Sequence, residues 1–146
     1  MPPAEESLGL LVSRSARALD RALDQALTAA GASLATWLVL RALGSGEHPT
    51  QADLARAVGV RQPTLTHHLD SLERSGFVTR QRDAGDRRAQ VVRLTDDGRR
   101  LFVRLRRVAA AFDGQVRAGL TSADVADLER LLVQLVENAQ PDDRLT

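Results

Sequence analysis

The chain has 146 residues, 43% of them hydrophobic, with three Phe, one Trp, no Tyr and no Cys. That length suits one domain, or one domain with a helical extension, and its core must be packed by Leu, Val and Ala, which favours helices held by aliphatic seams. Without Cys, disulfides, thiolate metal sites and thiol redox sensing are excluded. No apolar run approaches the ~18 residues of a membrane span, and the acidic start MPPAEES lacks a signal-peptide pattern, so a cytoplasmic protein is expected.

The net charge of +1 hides a strong asymmetry. Residues 1–55 carry four Arg against six acids, residues 56–107 thirteen against six, and residues 108–146 three against seven, giving segment charges of −2, +7 and −4. A basic middle between acidic ends fits a module that faces a polyanion, set on a scaffold that faces elsewhere. All twenty basic residues are Arg. Codon usage in a G+C-rich genome accounts for Arg in place of Lys, but not for the clustering. The planar guanidinium suits two-bond contacts with phosphate or guanine.

In chain order, residues 5–30 place Leu8, Leu11, Val12, Leu19, Leu23 and Leu27 mostly three or four apart, the stripe of an amphipathic helix. Gly31 ends it, and Ser33 caps a second helix, SLATWLVLRAL, which stops at Gly44 and is apolar on most sides, as a central core helix should be. Thr50 and Asp53 open a third helix that Gly59 closes after eight or nine residues. Arg61 and Gln62 lead into a fourth, with Pro63 in its first turn, where no amide donor is needed. Two short helices joined by a tight Gly-containing turn make a helix-turn-helix. Strand FVTRQR, a six-residue charged loop and strand AQVVRL follow. Thr95 caps a long helix carrying Leu101, Leu105, Val108, Phe112 and Val116, and Thr121 with Asp124 starts a last one carrying Val125, Leu128, Leu131, Leu132, Leu135 and Val136. The expected fold is mainly α with a small antiparallel β-hairpin. It comprises an N-terminal helix (1–32), a winged helix-turn-helix (33–98) and C-terminal helices (99–146).

A helix delivered directly to a basic hairpin is a recognition helix followed by a wing, and it points to DNA. At 100° per residue, Leu69 and Leu72 fall about 40° and −20° from Leu65, so these three form the buried seam of the fourth helix. His67 points away from that seam, whereas His68 lies about 60° off it. His67 is therefore the groove candidate, and His68 a packing residue or backbone contact. Base-reading helices use their N-terminal residues, here Gln62, Pro63, Thr64, Thr66 and His67, with Arg61 just ahead of them as a further DNA-binding candidate. Gln can pair with adenine on two atoms, and Pro and Thr can meet a thymine methyl; an ordinary solvated helix face is the alternative. In the loop, Arg87 and Arg88 sit at the tip, where a hairpin can reach the minor groove. Asp83 and Asp86 are placed to brace an arginine. Arg80, Arg82 and Arg93 are read as phosphate contacts or as residues that keep the strands soluble.

Residues 50–101 resemble the MarR family of winged-helix regulators, through QADLARAVGVRQPTLTHHLDSLERSGFVTR and more specifically RDAGDRRAQVVRLTDDGRRL. The resemblance implies an obligate homodimer built from the first and last two helices, a pseudo-palindromic DNA operator, and usually repression. By position it implies that Arg88 enters the minor groove braced by Asp86, and that Thr64, Thr66 and His67 face the major groove. Family members often carry Arg where His67 stands, which weakens the case for a guanine contact. A small phenolic or other aromatic acid that releases DNA is a further implication. Trp37, with Arg14 and Arg17, is the candidate ligand set, the alternative being core filling and surface charge.

Dimerisation has its own support in the residues. Leu8, Leu11, Leu19 and Leu23, with Phe112, Leu128, Leu131 and Leu135, form stripes outside the winged module and need a partner surface; covering each other within one chain is the alternative. A two-fold dimer sets its recognition helices about 34 Å apart, one DNA turn. No cofactor or metal is expected, since adjacent histidines cannot readily share an ion from one helix and His48 stands alone in a loop. No nucleophile motif, phosphate loop or metal-ligand spacing suggests an enzyme. The remaining rivals are a winged helix used for protein or RNA contact, and DNA binding without an effector.

Overall fold

Short polar side chains set the helix starts. In the computed structural model, which describes residues 7–46, 50–82, 85 and 90–140, the hydroxyls of Ser7, Ser33, Thr50 and Thr121 each accept a first-turn amide, from Leu10, Thr36, Asp53 and Asp124, at 3.0–3.3 Å. They open α1 (Leu8–Ala29), α2 (Leu34–Gly44), α3 (Gln51–Val58) and α6 (Ser122–Ala139). The two Thr-x-x-Asp starts close differently. Asp124 accepts the Thr121 backbone N–H at 2.8 Å, completing a reciprocal cap. Asp53 instead accepts the Thr50 hydroxyl at 2.7 Å and pairs with Arg56. Gly59 then turns the chain at φ 80°, a left-handed conformation that glycine adopts freely, into α4 (Gln62–Arg74), with Pro63 in its first turn. The hairpin β1 (Val78–Arg82) and β2 (Gln90–Leu94) precedes α5 (Asp96–Val116). The result is the expected mainly α winged helix-turn-helix.

The chain divides into two units, residues 1–112 and 113–146. In the first, two apolar clusters share α2. Val39 joins Leu54, Ala55, Leu65, Leu69, Leu72, Val78 and Val92 in the winged module. Trp37 and Leu40, from other sides of the same helix, join Leu27, Leu101 and Leu105. An apolar helix with nearly every face buried is what that sharing requires. Leu27, the last leucine of the α1 stripe, is fully buried here, and Leu23, a candidate dimer residue, packs on the same cluster. The Asp24 carboxylate also accepts the Leu34 N–H at 2.8 Å, tying α1 to the start of α2. Each fully buried leucine is worth roughly 1.5–3 kcal/mol, so the clusters carry the stability of this unit. In the second unit, α6 has no buried side chain among the described residues.

The strands pair antiparallel in a register running from Val78 opposite Leu94 to Arg82 opposite Gln90. Phe77, expected inside the first strand, stands just before it, because its N–H is drawn back to the Leu72 carbonyl at 2.9 Å. Its own carbonyl accepts the Thr95 N–H at 3.1 Å. Thr95 donates its hydroxyl to the Gly76 carbonyl at 2.6 Å and accepts the Gly98 N–H at 3.0 Å. The start of α5 is thereby pressed onto the entry to β1, so closely that a Cβ on Gly98 would lie 2.0 Å from the Phe77 oxygen. Phe77 and Leu94, at this junction, pack on both apolar clusters. The Leu-Thr-x-x-Gly run is therefore a packing device at the base of the wing.

Gly98→Ala should force backbone apart at this junction and cost about 1–3 kcal/mol, as overpacking typically does. It should appear as a lowered thermal midpoint, whereas a midpoint equal to that of the wild type would show that the approach is slack.

Candidate nucleic-acid interface

Helix α4 buries one face and offers the other. Leu65 and Leu69 are fully buried and Leu72 nearly so, as the helical period predicts. Arg61, Gln62, Pro63, Thr64 and His67 are exposed, and His68 is half-buried beside the seam. The tandem histidines thus differ in the expected sense, their rings tilted with centroids 6.0 Å apart. Arg61 precedes the helix without spending its side chain on a cap. Thr66 is not equivalent to its neighbours. It is half-buried, its hydroxyl donates to the Gln62 carbonyl at 2.9 Å, and it accepts from Gln51 Nε2 at 2.6 Å. That hydroxyl ties α4 to α3, which leaves the exposed edge to Gln62, Pro63, Thr64 and His67.

Arg80 is also spent internally. Its backbone N–H and its Nε both donate to Glu73 Oε2, at 3.1 and 3.3 Å, and its Nη2 reaches Glu73 Oε1 at 3.2 Å and Asp70 Oδ1 at 2.5 Å. The Arg80 side chain keeps 18% of its exposure, against 50% and 43% for Asp70 and Glu73. The hydrogen bond from Arg80 holds the Glu73 carboxyl below the usual range, and the bond to Glu73 raises Arg80 in turn. The expectation that Arg80 contacts phosphate, or merely keeps the strand soluble, is corrected: it clamps β1 to α4. Strand alternation held the clue, because Arg80 shares a face with the buried Val78. Asp70 and Glu73, three apart, share one side of the helix.

Pairing also thins the positive charge of the middle segment. Arg56 is paired with Asp53, Arg99 with Asp96 and Arg100 with Asp97, each within one helical turn. Arg61, Arg82 and Arg93 are exposed, Arg82 ending β1. Asp83, Asp86, Arg87 and Arg88, the expected wing tip, lie outside the described residues, as does His48.

The candidate ligand residues are placed unequally. Trp37 is 7% exposed and stacks on Phe102 at 5.9 Å, as core filling. Arg14 and Arg17 are exposed on α1. A hollow of about 720 Å³ lies instead at the end of α2, along β2 and on α5, lined among others by Leu43, Arg93, Arg99, Phe102 and Val103. Residues from three elements form it, so no local pattern marks it. Of the candidate dimer residues, Leu8, Leu11, Leu19, Leu128 and Leu131 are 41–57% exposed. Leu23, Phe112 and Leu135 are half-buried.

Comparison with known proteins agrees with this geometry. A model of the MarR family matches residues 30–89. The chain is similar to the transcriptional regulator PA3341, with 36% identity, a TM-score of 0.80, and 90% of this chain and 97% of that one covered. It is similar to a mutant MarR from E. coli solved with operator DNA, at 27% identity and TM-score 0.80, covering 88% and 92%. It is also similar to the regulator MOSR from M. tuberculosis solved with DNA, at 26% identity and TM-score 0.74, covering 93% and 100%.

The depressed Glu73 carboxyl makes the clamp pH-dependent. A carboxyl lowered on folding contributes above its unfolded value, and the contribution is lost as pH falls through the folded value. The Arg80 amide shift should therefore hold steady at neutral pH and titrate with a midpoint below that of an ordinary glutamate. A midpoint at or above the ordinary value would remove the ion pair from the account.

Proposed function

The chain belongs to the MarR family of transcriptional regulators, and on that footing we propose that it is a cytoplasmic, homodimeric repressor of a pseudo-palindromic operator. The observation that carries the proposal is the exposed N-terminal edge of α4 beside a hairpin rooted on the same helix. Gln62, Pro63, Thr64 and His67 meet base edges in the major groove, while Arg61 and Arg82 meet phosphates. Thr66 supports them through its bond with Gln51. The wing, with Arg87, Arg88 and the bracing Asp86, enters the minor groove. MarR and MOSR, solved with DNA, support duplex DNA as the partner.

A second copy covers the exposed leucines. Leu8, Leu11 and Leu19 on α1, and Leu128 and Leu131 on α6, are each at least 41% exposed, and apolar stripes of that extent mark an association surface. The two-fold axis then spaces the recognition helices for successive major grooves. Release follows when a small aromatic acid prefers a geometry that does not fit DNA. The hollow suits such a ligand better than the buried Trp37, since Phe102 lines it and the exposed Arg93 offers a cation.

Selection of bound duplexes from a random DNA pool tests the reading. Enrichment of an inverted repeat with half-sites one turn apart supports it, whereas recovery without any motif favours a winged helix used for protein or RNA contact. Arg88→Ala should weaken binding to the selected duplex while the dimer persists in sedimentation; unchanged affinity would take the wing out of the mechanism. His67→Ala should change preference at one base position at a cost of about 1–3 kcal/mol. Equal losses on every sequence would make His67 a phosphate contact.

A further inference from the structure

Asp70 and Glu73 are out of place on a helix meant to approach a polyanion. Two carboxylates there repel phosphate, and nothing in base reading requires both. Their shared partner resolves the matter. Arg80 reaches Asp70 with one nitrogen and Glu73 with two, and adds its backbone N–H to Glu73. We propose that this Asp70–Glu73–Arg80 clamp is the positioning element of the interface, setting the angle between recognition helix and wing so that both grooves are engaged at once. The proposal rests on the DNA-binding reading above and goes beyond it by assigning a role to three residues that need touch neither base nor phosphate.

Geometry supports a role in orientation. Among the described residues the sheet has two strands, and two-stranded hairpins are marginal by themselves. At its base it is held by the Gly76–Thr95 contact. Val78 and Val92 seat the strands in the apolar core. Arg80, in the middle of β1 opposite Val92, adds a polar attachment to α4 at the same level. Directional bonds fix an angle that aliphatic contacts alone do not. Several bonds from a planar fork also restrict rotation more than a point charge could. The guanidinium is mostly covered, so its cation is already neutralised and sheltered before any phosphate arrives.

Charge and orientation predict opposite signs for one experiment. The Asp70→Ala, Glu73→Ala double variant removes two negative charges beside the DNA and replaces them with a good helix former. Simple electrostatics makes every duplex bind more tightly. The clamp requires the duplex selected by the wild type to bind about five- to thirty-fold more weakly, the equivalent of one or two kcal/mol, while an unrelated duplex binds no more weakly than before. Arg80→Lys supplies the second reading, since it keeps the charge and loses the fork. A phosphate contact would survive that change, whereas the clamp requires the same selective loss, together with lost minor-groove protection in a hydroxyl-radical footprint. Thermal melting of each variant reports folding independently. Tighter binding of the selected duplex by the double variant, or full affinity of Arg80→Lys, overturns the clamp and leaves the DNA reading intact. A wild type that enriches no duplex overturns both.

Discussion

The winged module depends on one close backbone approach, where the first turn of α5 meets the chain entering β1. Gly98 has no Cβ, so the Phe77 carbonyl can sit where a side chain would otherwise stand, and Thr95 bonds across the gap to Gly76. Everything between these points, the whole hairpin, leaves and returns through this one junction. Phe77 and Leu94 extend it into both apolar clusters. The wing is therefore rooted where the module's own core meets the cluster of α1, α2 and α5.

Stability and orientation are supplied by different residues. Leu65, Leu69 and Leu72, with Val39 and Leu54, hold the helices together, and truncating one such leucine typically costs about 2–5 kcal/mol. The polar contacts are exposed or partly exposed, where ion pairs add little to stability because water screens them. Their value lies in direction. Gln51 to Thr66 sets α3 against α4, and Arg80 to Asp70 and Glu73 sets β1 against α4. A recognition surface needs its reading residues at a fixed angle, and directional bonds provide that where aliphatic contacts do not.

The same economy appears in the charges. A count of thirteen arginines overstates the attraction available to DNA, since several are paired within their own helices or across to α4. At the edge of α4 and along the described part of the hairpin the exposed arginines are Arg61, Arg82 and Arg93, while Arg104, Arg106 and Arg107 are exposed on α5.

Much was legible in the sequence because it depends on neighbours a few residues apart. Caps at Ser33, Thr50 and Thr121, the turn at Gly59, the seam of α4 and the outward turn of His67 all follow from local spacing, and the hairpin followed from its flanking signals. The family resemblance, too, rested on a contiguous run. Contacts between distant segments were not legible in the same way. Arg80 looked like a phosphate ligand until α4 brought Asp70 and Glu73 beneath it. The tie from Thr66 to α3 was not visible until α3 delivered Gln51. Leu27 was one leucine of a helical stripe until α2 and α5 packed around it, and Gly98 was only part of a motif until Phe77 was found against it. Periodicity tells which face of an element a side chain occupies. Which partner meets that face is decided when the elements pack, because a hydrogen bond or a steric gap of an ångström depends on the tertiary fold and leaves no trace in local spacing.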